Sequence, residues 1–198
     1  MLDVHVIDDP AAAAVALEPV RSRLLAELSR PASAAALAGR VGIPRQKVNY
    51  HLRALEAHGL VQVAETRRWG GLTERLLVAS GSSYVVSPGA LGPAAADPDR
   101  RADRLSAGYL IALAARAVRE VGRLLRGAEE AGQHLATLSI DTEIRFRSPA
   151  ERAAFTGELT QAVAALAARY HDANAPGGRP HRLVVLAHPL PIEPQPQE

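Results

Sequence analysis

From Glu18 to His58 the apolar residues recur at three- and four-residue spacing, the period of helices with one buried face. Val20, Leu24, Leu25 and Leu28 mark the first such face. It opens at Glu18-Pro19, where proline suits the first helical turn, and it ends before Pro31. Ser33 is placed to cap a short second helix, Ala34 to Val41, that buries Leu37 and Val41 and is broken by Gly42. Pro44 begins a third helix running to about His58, with Val48, Leu52 and Leu55 as its inner stripe and Gly59 as a C-terminal cap. Residues 60–66 and 72–80 then read as strands. Between them Arg67-Arg68-Trp69-Gly70-Gly71 reads as a hairpin tip, its glycines available for positive φ.

The flanking regions are patterned differently. Residues 1–15 form an Ala-rich leader to which no element is assigned. Residues 81–101 hold three prolines and three glycines and read as a linker. A long helix is expected over Ala102 to Leu125, with Leu105, Tyr109, Leu113 and Val121 on one side. Thr137 to Arg147 alternates as a strand does: Leu138, Ile140, Ile144 and Phe146 on one face, Ser139, Asp141, Glu143 and Arg145 on the other. Ser148-Pro149-Ala150-Glu151 is a capping box opening a helix to about His171, and Arg182 to His188 is a last strand. The expected fold class is mainly α with short β. A helical unit with a hairpin at 16–80 is followed by a linker at 81–101, an α-β-α-β unit at 102–190 and a Pro-rich tail at 191–198.

The order helix, short helix, glycine turn, helix, hairpin is the pattern of a winged helix-turn-helix, and the polar side of the third helix has the chemistry to match. Arg45, Gln46, Asn49 and Arg53 lie away from the inner stripe, with Tyr50 beside them. Arg can bond guanine bidentately, and Gln or Asn can bond adenine. Lys47 and His51 are expected at backbone phosphates, although a lone His51 is as readily a packing residue. The hairpin adds Arg67, Arg68 and Arg75, with Trp69 at the tip as an exposed side chain or a dimer contact. Charge is concentrated here. Arg40, Arg45, Lys47, Arg53, Arg67, Arg68 and Arg75 stand against Glu56, Glu65 and Glu74, a balance of +4 against +2 for the whole chain. Phosphate contacts would supply affinity and base contacts selection.

The run Arg45-Gln46-Lys47-Val48-Asn49-Tyr50-His51-Leu52-Arg53, continuing to Gly59-Leu60-Val61, resembles the recognition helix of ArsR-type winged-helix regulators. In that family a His-Leu pair sits mid-helix and a Gly-Leu-Val leads into the wing. The resemblance covers residues 16–80 and implies a dimeric DNA-binding repressor or activator acting on paired, inverted half-sites. The family's polar residue before the His-Leu pair is often Ser. Here Asn49 takes that place, so the operator sequence does not carry over. Many family members sense metals through thiolates in the short second helix or through Asp and His on a C-terminal helix. This chain has no cysteine, and residues 102–125 hold no histidine, so no metal or other cofactor is expected.

Composition narrows the remaining classes. Of the 198 residues, 47% are apolar, which suits a globular core, and only 4% are aromatic, which leaves the packing to Ala, Leu and Val. No stretch approaches a membrane span, and the start lacks the charged and apolar regions of a signal peptide, which suits a cytoplasmic protein without membrane partners. No nucleophile elbow, phosphate-binding glycine loop or His-Glu-x-x-His motif is present, so an enzyme is not expected. Two alternatives stay open: a C-terminal unit that binds a small apolar effector and thereby releases DNA, and a protein-binding winged helix without DNA. A homodimer is expected through the first helix and the 102–125 helix.

Overall fold

The structure, a computed structural model, describes residues 2–69 and 72–191. The chain divides into two compact units, Met1–Leu135 and Ala136–Glu198. In the first unit the elements run β1 (Leu2–Ile7), α1 (Pro10–Ala16), α2 (Pro19–Glu27), β2 (Ala32–Ser33), α3 (Ala34–Val41) and α4 (Arg45–Ala57). They continue with β3 (Val61–Trp69), β4 (Leu72–Ala79), β5 (Gly81–Val86) and α5 (Ala107–Glu130), the last two separated by 3-10 turns at Pro88–Ala94 and Pro98–Arg100. The second unit contains α6 (Pro149–Tyr170).

The helices of the central region form for the reasons visible in their sequence. Glu18 accepts a hydrogen bond from the Arg21 N–H at the start of α2, with Pro19 in the first turn. The Ser33 hydroxyl accepts from the Ala36 N–H and caps α3. Gly42, at φ 70°, receives the chain as it leaves α3, a conformation that is free of steric cost only without a side chain. At the end of α4 the Leu60 N–H donates to Leu55 O and the Gly59 N–H to Glu56 O. This is the paired closure of a Schellman motif, with Gly59 at φ 67°. Leu24, Leu28, Leu37, Val48, Leu55 and Leu60 are fully buried where α2, α3 and α4 meet. Truncating any of these leucines to Ala would cost about 2–5 kcal/mol by the usual cavity penalty.

Two sheets frame this core. β4 pairs antiparallel with β3 along their length and with β2 at Ala32 and Ser33. The β3–β4 register shifts between Val63 and Glu65, so Ala64 is a bulge. The glycines expected at the hairpin tip, Gly70 and Gly71, lie outside the described residues, as does the Trp69 side chain.

The second sheet corrects the reading of the N-terminus. Residues 1–15 are not an unassigned leader: β1 pairs parallel with β5, from Leu2 opposite Gly81 to Ile7 opposite Val86, and α1 contributes Ala12, Ala13 and Ala16 to the core. The 81–101 segment, expected as a linker, supplies β5 and the two 3-10 turns. Neither element was legible locally, because the two strands are some 80 residues apart and each completes the other. A knot of polar groups ties the sheets together. Leu60 O accepts from the Ser80 hydroxyl at 3.0 Å and from the Tyr84 hydroxyl at 2.6 Å, and Ser80 Oγ also lies 3.0 Å from His5 Nδ1.

The long helix starts later than expected and buries a different side. Leu105 precedes α5 and is almost fully exposed, and Val121 is half-exposed; the buried residues are Ala112, Ala115 and Gly122. Small residues face β1 because the approach is close. Arg126 then donates to Val6 O at 2.6 Å and pairs with Asp8 at 3.1 Å.

In the second unit the capping box forms with one variation. Ser148 Oγ accepts from the Glu151 N–H, but Glu151 takes the Arg147 N–H and guanidinium rather than the N–H of Ser148. The strands expected at 137–147 and 182–188 are not paired with any strand among the described residues. Residues 192–198 of the expected tail lie outside the described residues.

Candidate nucleic-acid interface

Helix α4 owes its position to the inner stripe. Val48, Leu52 and Leu55 are buried against α2 and α3, which turns the opposite side outward. Arg45, Gln46, Lys47, Asn49, Tyr50 and Arg53 are all exposed there. Arg45, Gln46, Asn49, Tyr50 and Arg53 line one open depression. A second groove, between α4 and β4, brings Arg45, Asn49 and Arg53 beside Thr73 and Arg75. The N-terminus of α4 follows Pro44 without a side-chain cap, and its first turn carries Arg45 and Lys47 and no acid. A helix dipole prefers the reverse, so this end gives up some helix stability and gathers positive charge.

His51 does not join this surface. Its side chain is mostly covered, with Nδ1 3.7 Å from the Glu18 carboxylate at the start of α2 and its ring edge-on to Tyr50. The turn of α4 that exposes Tyr50 carries the His51 side chain toward α2. Burial pushes the Glu18 carboxyl up, but the N–H groups of Arg21 and Val20 and the charges of His51 and Arg21 outweigh it and hold the group below the usual range.

The hairpin arginines, equivalent in the sequence, differ in place. The bulge at Ala64 sets the parity of the strand beyond it. Arg67 pairs across to Glu74 and Arg68 to Thr73, while Thr66 meets Arg75. Cross-strand partners share a face, so Arg68, Thr73, Thr66 and Arg75 lie on one side and Arg67, Glu65 and Glu74 on the other. The Arg67 guanidinium donates twice to Glu65, at 2.9 Å each. That bond holds the Glu65 carboxyl below its usual range and raises Arg67. Arg75 is ion-paired with Glu56 of α4. Arg68 therefore shares its face with the residue that ties the hairpin to α4, while Arg67 is matched by acids on the back.

Residues 16–64 match a helix-turn-helix domain family. This segment is a helix-turn-helix domain. The match covers α2, α3, α4 and the start of β3, and stops before β4 and the hairpin tip. No match to a curated protein is found for the chain. Within the helix-turn-helix domain, α3, the Gly42 turn and α4 form the paired helices, and α4 is the one whose polar face is open.

Sequence reasoning missed the acids that set the balance of this surface. Glu56, Glu65 and Glu74 entered only as a charge count, yet each determines which arginine is available. The Glu65-x-Arg67 spacing on a strand was a usable signal, since alternate strand residues share a face. The Glu56–Arg75 pair had none, because it joins a helix to a strand. No helix among the described residues is long and apolar enough to cross a membrane.

Proposed function

We propose that this chain is a sequence-specific DNA-binding transcriptional regulator whose helix-turn-helix and β3–β4 hairpin act together as a winged helix-turn-helix of ArsR type. One observation carries the reading. The side of α4 opposite its buried stripe gathers Arg45, Gln46, Asn49, Tyr50 and Arg53 in one exposed patch flanked by the hairpin face of Arg68. Arg45, Gln46, Asn49 and Arg53 are the base-reading set. Lys47, Tyr50 and Arg68 serve the backbone, and Arg75 holds the hairpin to α4 through Glu56. The regulator works as a homodimer on an inverted repeat, with recognition helices roughly one DNA turn, about 34 Å, apart. Exposed Ile111, Val121 and Leu124 on α5 support that helix, with α2, as the dimer contact. Repression, and a mode of action without metal, rest on the resemblance and on the absence of cysteine.

The test separates two kinds of contact. The full chain first selects its operator from a random duplex library. Asn49→Ala and Arg68→Ala are then titrated on that operator and on random duplex at several salt concentrations. Asn49→Ala should weaken operator binding by about 1–3 kcal/mol and leave random duplex nearly unchanged. Arg68→Ala should weaken both alike and reduce the salt slope by about one. Equal loss on both duplexes for Asn49→Ala would show that α4 does not read bases.

A further inference from the structure

The second unit opens with a segment whose pattern DNA binding does not use. Asp141, Glu143, Arg145 and Arg147 occupy alternate positions, two acids followed by two bases, while Ile144 and Phe146 alternate with them. Leu138 and Ile140 are each 83% exposed and Ile144 is 49% exposed. Phe146 meets Phe155 of α6 at 5.3 Å between ring centroids. Among the described residues, 137–147 has no strand beside it, and Asp141, Glu143 and Arg145 make no ion pair.

The charge order is complementary to itself when read backwards. In an antiparallel pair, directly opposite residues share a face, so only registers that set even-numbered positions opposite even-numbered ones keep the charged and the apolar positions apart. Setting Ile144 opposite its own copy brings Glu143 opposite Arg145 of the partner subunit and Asp141 opposite Arg147 of the partner subunit. Twofold symmetry repeats both pairs. On the other face Thr142 then meets Phe146 of the partner subunit, a favourable aromatic and β-branched pair. Centring the pair on Glu143 sets that acid against itself, and centring it on Thr142 sets Asp141 against Glu143. Only the Ile144 register matches all four charges. A partner of unrelated sequence would have no reason to produce this match, whereas a second copy supplies it automatically.

We propose that residues 141–147 are a self-association strand through which two copies of the chain pair antiparallel about Ile144. This contact is separate from the one on α2 and α5, and it does not depend on DNA. Arg147 already bonds Glu151 of its own chain at 2.9 Å, so the inner Glu143–Arg145 pairs set the register and the outer pairs reinforce it.

The chain has no cysteine, so one introduced thiol is unique. Full-length Ile144→Cys is oxidised with diamide in the absence of DNA and run on a non-reducing gel, beside Ile140→Cys. Directly opposite strand residues lie about 4.5–5.5 Å apart at Cα, within disulfide reach. The two copies of position 140 would be about 26 Å apart along the strands. Ile144→Cys should become mostly covalent dimer and Ile140→Cys should not. Adding Arg145→Glu or Glu143→Arg to Ile144→Cys sets like charges opposite and should cut the dimer yield at least roughly tenfold. Mixing those two charge-reversed proteins should restore the yield as a heterodimer. No cross-link at 144, equal cross-linking at 140 and 144, indifference to charge reversal, or failure of the mixture to recover would each overturn the proposal. Because no DNA is present, any of these results leaves the role of α4 untouched.

Discussion

Two glycines in the same helix should respond oppositely to the same substitution. At Gly122 a Cβ would lie 2.6 Å from Val6 Cβ and 2.8 and 2.9 Å from its two γ-carbons. At Gly127 nothing lies within 4 Å of the added carbon. Alanine gains roughly 1 kcal/mol over glycine in a helix interior. For Gly127→Ala, near the end of α5, that gain stands almost unopposed, and stability should rise by up to about 1 kcal/mol. For Gly122→Ala the overlap is about 1 Å against three atoms of a strand residue whose Cβ cannot rotate away, so β1 or α5 must move. Overpacking of this kind costs about 1–3 kcal/mol, and three simultaneous contacts put it at the upper end. The net expectation is a loss of about 2 kcal/mol, or roughly 4–8 °C in melting temperature for a chain of this size. Circular dichroism melts of both variants beside the parent provide the measurement. If Gly122→Ala melts as high as Gly127→Ala, α5 does not approach β1 closely and the N-terminal strand is not packed beneath it.

Further outcomes follow from the charges. Glu56→Gln releases Arg75 and removes a negative charge from the α4 groove. Affinity for random duplex should rise and the salt slope should steepen by about one; an unchanged slope would mean Arg75 remains out of reach of phosphate. Burial, with the charge of Arg126 added, holds the His5 imidazole below its usual value of 6.5, against an opposing contribution from Glu129. The folded state therefore favours neutral His5, and the stability it contributes is complete above 6.5 and is lost as the pH falls through the lower, folded value. Melting temperature should drop more over that acid range for the parent than for His5→Gln, and parallel pH curves would remove His5 as the cause. Zinc, cadmium or arsenite at low micromolar concentration should leave operator binding unchanged, and metal-dependent release in a gel-shift titration would contradict a metal-free mode of action.

The sequence by itself determined what depends on neighbours along the chain. The stripe Val48, Leu52, Leu55 and the caps at Ser33, Gly42, Gly59 and Ser148 are local, because helical periodicity and terminal hydrogen bonds are set within a few residues. That local pattern is enough to turn Arg45, Asn49 and Arg53 outward. What joins distant residues was not legible. β1 reads as part of an unassigned leader until β5 lies beside it, and the small residues of α5 look unremarkable until Val6 packs against Gly122. The hairpin shows the same division at the scale of one side chain. Arg67 and Arg68 are adjacent and alike in the sequence. The bulge at Ala64, the cross-strand register and the Glu56–Arg75 pair decided that one meets acids while the other shares the face turned toward α4. Strand parity depends on pairing, and pairing exists only in the folded chain.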